Sequence, residues 1–153
     1  MTTIKLFVAL KIPDTTAITA FHTLERLGYK ELRHLDREEY YEFVADTDIE
    51  IFMEEIVKVD ILVNANKHSA TIIKAEDERH DEGVIKVLVK NSGDNASGLL
   101  SILKNRMGFS NIKDMKKGIL WKMKIESPNP KTIAQKITTD LLCNEHYQEF
   151  EII

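Results

Sequence analysis

The sequence predicts an α+β protein made of two tandem β-α-β-β-α-β units that pack on each other as a pseudo-dimer within one chain. Three observations lead there. Blocks of the first half recur in the second: residues 4–8 match 85–89, and 26–29 (Arg-Leu-Gly-Tyr) match 106–109 (Arg-Met-Gly-Phe). From that second block on the offset holds at 80 residues, so 60–64 match 140–144 and 71–73 match 151–153. Each copy also alternates strand-like and helix-like periodicity. Between the copies, residues 74–83 are strongly charged and lack an apolar period, as expected of a linker. The reading therefore places a first unit at 1–75, the linker at 76–83 and a second unit at 84–153.

In the first copy Ile4, Leu6, Val8 and Leu10 alternate with Lys5, Phe7, Ala9 and Lys11, a strand that Pro13 and Asp14 end. Ile18, Phe21, Leu24 and Leu27 then recur at helical spacing, and Gly28 supplies the residue that tolerates a left-handed stop. Two short strands are expected at 32–35 and 40–45, joined through Asp36-Arg37-Glu38-Glu39. Thr47 and Glu50 have the spacing of a capping box for a helix that carries Ile49, Phe52, Met53 and Ile56 on one side. Asn64 and Asn66 suit its end, and residues 69–73 close the unit as a strand. The second copy repeats the pattern. Its strands at 112–115 and 119–125 are expected to form a hairpin about Lys116-Lys117-Gly118, with the preceding helix entered through caps at Asn95 or Ser97. Ser127-Pro128-Asn129-Pro130 opens a helix with the stripe Ile133, Ile137 and Leu141, and a last strand covers 150–153. A copy of this size is marginal alone, so the two are expected to share buried surface, with Ile56, Ile61, Ile137 and Leu141 inside.

Hydrophobic residues at 43% and charged residues at 30% are those of a folded globular protein. The start of the chain lacks the pattern of a signal peptide and no apolar run reaches membrane-spanning length, so a cytoplasmic location and no membrane partner are expected. Cys143 is the single cysteine, which excludes an internal disulfide. The net charge of −4 is unevenly spread along the chain: residues 1–82 hold 10 Lys+Arg against 18 Asp+Glu, and residues 83–153 hold 11 against 7. Lys113, Lys116, Lys117, Lys122 and Lys124 form a local basic stretch. It lacks the interleaved aromatics and arginines of nucleic-acid binders, so no nucleic acid is expected, and a solvated face is its plain reading.

The residues that carry chemistry do not converge. The segment from Ser92 to Gly98 lacks the lysine and spacing of a phosphate-binding loop. Cys143 and His146 have no second pair to complete a metal site, and Cys143 lies in an apolar helix end where its thiol is expected to be unreactive. No catalytic residue, metal ligand or cofactor is assigned to the chain.

The opening strand ending Val8-Ala9-Leu10-Lys11, the helix ends Leu27-Gly28-Tyr29 and Met107-Gly108-Phe109, and the blocks Ile61-Leu62-Val63-Asn64 and Leu141-Leu142-Cys143-Asn144 together resemble the PurS subunit of phosphoribosylformylglycinamidine (FGAM) synthase. The second block runs on into Tyr147-Gln148-Glu149-Phe150-Glu151-Ile152, similar to the family's Leu-Leu-Ala-Asn followed by an acidic-aromatic strand. The resemblance covers nearly the whole chain, once per copy. It implies ferredoxin-like units and a non-catalytic assembly role in an ATP-dependent carbon–nitrogen ligase of purine biosynthesis. There, glutamine and ATP convert formylglycinamide ribonucleotide into its amidine, and the subunit bridges a glutaminase and a synthetase. Two departures stand out: Pro13-Asp14-Thr15-Thr16 and Ser92-Gly93-Asp94-Asn95 replace the family's Asp-Pro-Gln-Gly-like stretch, and the Gly-Lys hairpin survives only as Lys117-Gly118. On this reading Lys113, Lys116, Lys117 and Lys122 would face a partner subunit. Two alternatives stay open: a tandem ACT-like regulatory module that binds a small ligand between units, because fold alone does not separate it, and a small enzyme working between the copies. Further self-association into a homo-oligomer is also left open.

Overall fold

Alternating apolar residues draw Thr2–Leu10 into strand β1, and Asp14 ends the break after it by capping helix α1, Thr15–Arg26. Strand β2 (Leu32–Ala45), helix α2 (Ile49–Ile56) and strand β3 (His68–Lys74) complete the first half. The second half follows with β4 (Ile85–Asn91), α3 (Ser97–Arg106), β5 (Ile112–Ile125), α4 (Pro130–Ile137) and β6 (Gln148–Ile152). This computed structural model describes residues 1–93 and 96–153, so the cap expected at Asn95 lies outside the described residues. The protein is α+β: the described residues form four α-helices and a six-strand antiparallel sheet in the order β3-β1-β2-β5-β4-β6, an architecture compatible with a ferredoxin-like or similar fold.

Both expected hairpins are absent: β2 and β5 are each one continuous strand of 14 residues. Gly118 lies inside β5 and is not among the glycines with positive φ, which are Gly28, Gly83, Gly93 and Gly108. Its lack of a side chain serves close approach, because a Cβ there would sit 2.7 Å from the Val89 carbonyl oxygen and 3.0 Å from Leu88 Cδ1. In the first half the polar run that looked like a turn continues as strand because its side chains are paired: Arg37 with Asp14 and Glu38 with Lys122. Polarity there marks ion pairs along the sheet, where a polar run without an apolar period ordinarily marks a loop.

The helix stops expected from sequence are present. Leu27 caps α1, and Gly28 (φ +98) and Gly108 (φ +82) take the left-handed conformation that lets the chain leave its helix. The α2 cap is shifted by one residue from expectation: Asp48, not Thr47, receives the Ile51 N–H. A carboxylate one residue nearer the helix reaches its orphan donors directly.

Two compact units divide the chain, and each takes segments from both halves. The first comprises Met1–Lys11, Glu39–Arg79 and Asp94–Lys117; the second comprises Ile12–Glu38, His80–Gly93 and Gly118–Ile153. In the first, helices α2 and α3 cover β1 and the C-terminal part of β2. Its core holds Ile4, Leu6, Val8, Phe43, Phe52, Ile56 and Leu62 together with Leu103, Ile112 and Met115. Phe52 is wedged edge-on between Phe43 and Phe109, at 5.8 and 5.7 Å. In the second, α1 and α4 share a core in which Ala17, Leu24, Leu32 and Leu35 meet Val87, Val89, Trp121, Met123, Ala134 and Ile137. Ile56 and Ile137 are fully buried, as expected, but Ile61 and Leu141 are 48% and 39% exposed. The cause at Leu141 is local. After Ile137 the chain makes a π turn over Thr138–Leu142, closed by Cys143 N–H to the Thr138 carbonyl at 2.9 Å, which rotates Leu141 off the helix stripe.

Asp14 ties α1 into the second unit. Its Oδ1 accepts the N–H groups of Thr16 and Ala17 at 3.0 and 3.2 Å, and both its oxygens face the Arg37 guanidinium, which lies 6.0 Å from the Trp121 ring. Burial raises the Asp14 carboxyl, but Arg37 and the two backbone donors outweigh it, and the group is held below its ordinary value of 3.8. Asp14→Ala is expected to cost about 1–2 kcal/mol near neutral pH. A depressed folded pKa stabilises above the unfolded value and loses its effect as pH falls through the folded one. The melting difference between wild type and Asp14→Ala should therefore shrink in acid; an equal difference at about pH 2 would remove the carboxylate's charge from the account.

Candidate docking surfaces

The basic stretch lies on β5. Lys113, Lys116 and Lys117 are exposed in the first unit, where Lys116 pairs with Glu42 at 3.7 Å. Lys122 belongs to the second unit, half-buried in an ion pair with Glu38. These lysines therefore do not form a hairpin tip, and two of the four are matched by glutamates of β2. The charge asymmetry of the two halves does not carry over to the units: one has 11 Lys+Arg against 13 Asp+Glu, the other 10 against 12. Residues 74–83 are also held. Residues Ala75–Asp77 form a 3-10 turn, Lys74 pairs with Glu50 at 2.8 Å, Glu78 with Lys5 at 2.5 Å, and Asp81 with Lys86 at 3.6 Å.

The matched blocks build the same turn twice. Asn64 Oδ1 accepts the N–H groups of Asn66 and Lys67, the His68 N–H donates to the Asn64 carbonyl at 2.8 Å, and His68 Nδ1 accepts the Asn64 N–H at 3.0 Å. In the second half Asn144 Oδ1 accepts the His146 N–H, the Gln148 N–H reaches the Asn144 carbonyl at 2.7 Å, and Gln148 Oε1 takes the place of the histidine nitrogen. An asparagine that hydrogen-bonds its own backbone two residues on is what makes this turn. Each turn sets the last strand of its half at an edge of the sheet, β3 in one case and β6 in the other.

Just before those turns the two units present the same surface with different chemistry. In the first, a groove of about 430 Å³ runs between the ends of α2 and α3, with Val59, Ile61, Met107 and Phe109 as its apolar lining and Glu55, Lys58 and Asp60 on the rim. Ile61 and Met107 are 48% and 44% exposed. The corresponding residues of the second unit are Leu141 and Leu27, 39% and 57% exposed. There Tyr29 stands where the first unit has Phe109, and its hydroxyl donates to the Asp140 carboxylate, the counterpart of Asp60. Burial, then the bond to Asp140, pushes the Tyr29 hydroxyl up to about 12, so it stays a donor at neutral pH. Phe109 has no hydroxyl to close its unit in this way. Sequence reasoning missed this surface because Leu141 continues an apolar stripe and Ile61, its counterpart, was expected inside with it. The signal was the recurrence of large apolar residues beside a helix-ending glycine.

A second groove of about 430 Å³ follows α1 in the second unit, lined by Thr15, Thr19, Thr23, Trp121, Leu141 and Leu142 among others. Cys143 is buried, and burial first, then Glu145, pushes its thiol up. Among the described residues no group of three His, Cys, Asp or Glu is placed to hold a metal ion, and no helix is long and apolar enough to cross a membrane. No protein-family model matches the chain, and no curated protein matches it.

Proposed function

We propose that the chain is a tandem PurS-like assembly subunit of FGAM synthase, two duplicated ferredoxin-like units forming a pseudo-dimer in one polypeptide. Its role is to dock a glutaminase and an ATP-using synthetase while contributing no catalytic residue. One observation carries the bridging role: the two units present equivalent apolar helix ends with different chemistry, Phe109 beside Asp60 in one and Tyr29 hydrogen-bonded to Asp140 in the other. A homodimer must offer each partner the same surface twice, whereas a fused pair can diverge and hold two different partners in fixed order. Support for the family comes from the Asn64 and Asn144 turns, which are the blocks that carry the resemblance.

On this reading the groove of the first unit, with Glu55 and Asp60 on its rim, takes an apolar residue flanked by basic ones, and Lys113 adds steering for an acidic surface. The test is reconstitution with the glutaminase and synthetase subunits, reading glutamine-dependent amidine formation and complex mass. Ile61→Asp with Met107→Asp should weaken one partner's binding by about tenfold or more, and Leu27→Asp with Leu141→Asp the other's. All four positions are exposed, so folding should survive. Glutamine-dependent synthesis that is equally fast without the chain would end the proposal.

A further inference from the structure

The two edges of the sheet are unlike, and the difference points to a self-association surface on β3. Along β3, His68 to Lys74 pair with Leu10 to Ile4 of β1 on one side, and β3 ends the sheet on the other. Lys11 N–H donates to the Lys67 carbonyl in the same register, so the backbone groups of Lys67, Ser69, Thr71 and Ile73 face β1. Those of Ala70, Ile72 and Lys74 consequently face outward, while the His68 N–H is taken by the Asn64 carbonyl. Ser69, Ala70 and Thr71 are exposed, and residues 69–73 carry no charge. Natural sheets usually blunt such an edge with charges, prolines or bulges.

The edge at β6 is blunted. Ile153 N–H donates to the Lys86 carbonyl, which turns the backbone groups of Gln148, Phe150 and Ile152 outward. Two copies of β6 meeting antiparallel must pair those residues with one another. Centring the pairing on Phe150 sets Glu149 directly opposite Glu151, and centring it on either glutamate sets that residue opposite itself. Like charges placed directly opposite oppose pairing. For β3 the same construction, centred on Thr71, pairs Ala70 with Ile72 through outward backbone groups, Ser69 with Ile73, and Thr71 with its own copy. No like charges face each other along residues 69–73.

We infer that two copies of this chain associate by antiparallel pairing of β3 about a two-fold axis at Thr71. The inference goes beyond the bridging role and stands whether or not that reading holds, since it rests on the edge alone. Sedimentation of the full chain over a range of concentrations should show a monomer–dimer equilibrium. Thr71→Lys sets two ammonium groups across the axis and should raise the dissociation constant about tenfold or more, less so at high salt. Thr71→Cys supplies an independent readout. A non-hydrogen-bonded pair places its Cα atoms about 4.5 Å apart, within disulfide range, so mild oxidation should give a cross-linked dimer in high yield. Cys143 is buried and does not compete. A wild-type chain that stays monomeric, a dimer indifferent to Thr71→Lys with no cross-link through Thr71→Cys, or open-ended polymers from β3 meeting β6 would each overturn the assignment.

Discussion

Cut between Arg79 and His80, the chain is expected to give two fragments, neither of which folds alone as a monomer, and to regain the native fold when they are mixed one to one. The ion pairs near the cut stay within their fragments, Glu78 with Lys5 and Asp81 with Lys86, so the cut itself disturbs little. The loss lies in the cores. Fragment 1–79 would expose Leu24, Leu32 and Leu35, whose burial depends on Val87, Trp121, Met123 and Ile137 of the other fragment. At about 1.5–3 kcal/mol for each leucine, those three side chains alone represent about 5–9 kcal/mol, comparable to the whole stability of an ordinary domain. Fragment 80–153 loses the partners of Leu103, Ile112 and Met115 in the same way. The near-ultraviolet dichroism of Trp121, the single tryptophan, should be weak in fragment 80–153 and native in the mixture. A fragment that sediments as a monomer with a cooperative thermal transition would show that a half of the sequence is a folding unit.

Gly118→Ala should lower stability by about 1–3 kcal/mol, the usual cost of forcing extra volume into a packed site. The new methyl would lie 2.7 Å from a backbone oxygen on β4, which a strand paired on both sides cannot move aside as a flexible side chain could. For a chain of this size each kcal/mol shifts the melting temperature by about 2–4 °C. Gly98→Ala is the contrast. Gly98 lies in the first turn of α3 with open space where a Cβ would stand, and alanine there should be neutral or stabilising by up to about 1 kcal/mol. If both substitutions behave alike, Gly118 is not held by close approach.

Much of the local structure was legible in the sequence because its causes are local. Gly28 and Gly108 stop their helices since each must adopt positive φ, and Asn64 and Asn144 turn the chain since their side chains bond their own backbone. The alternation through Ile4, Leu6 and Val8 set β1 and the face it buries. The continuity of β2 and β5 was not legible. Arg37 and Glu38 resemble turn residues until Asp14 and Lys122 stand beside them, and those partners lie 23 and 84 residues away. The candidate surface was half visible: Leu27 and Met107 recur beside their glycines, but Leu141 fits an apolar stripe and Ile61 was expected inside with it, and a π turn at Thr138–Leu142 that no motif announces takes Leu141 out of the core. What the sequence by itself determined is which residues form strands, helices and stops, because periods of two and 3.6 residues are properties of a short stretch of chain. Which helix covers which strands was decided only in three dimensions. Two halves with similar apolar faces satisfy the same local pattern whether a helix packs on its own half or on the other, and packing gathered Leu24 and Ile137 into one core and set Phe52 against Phe109.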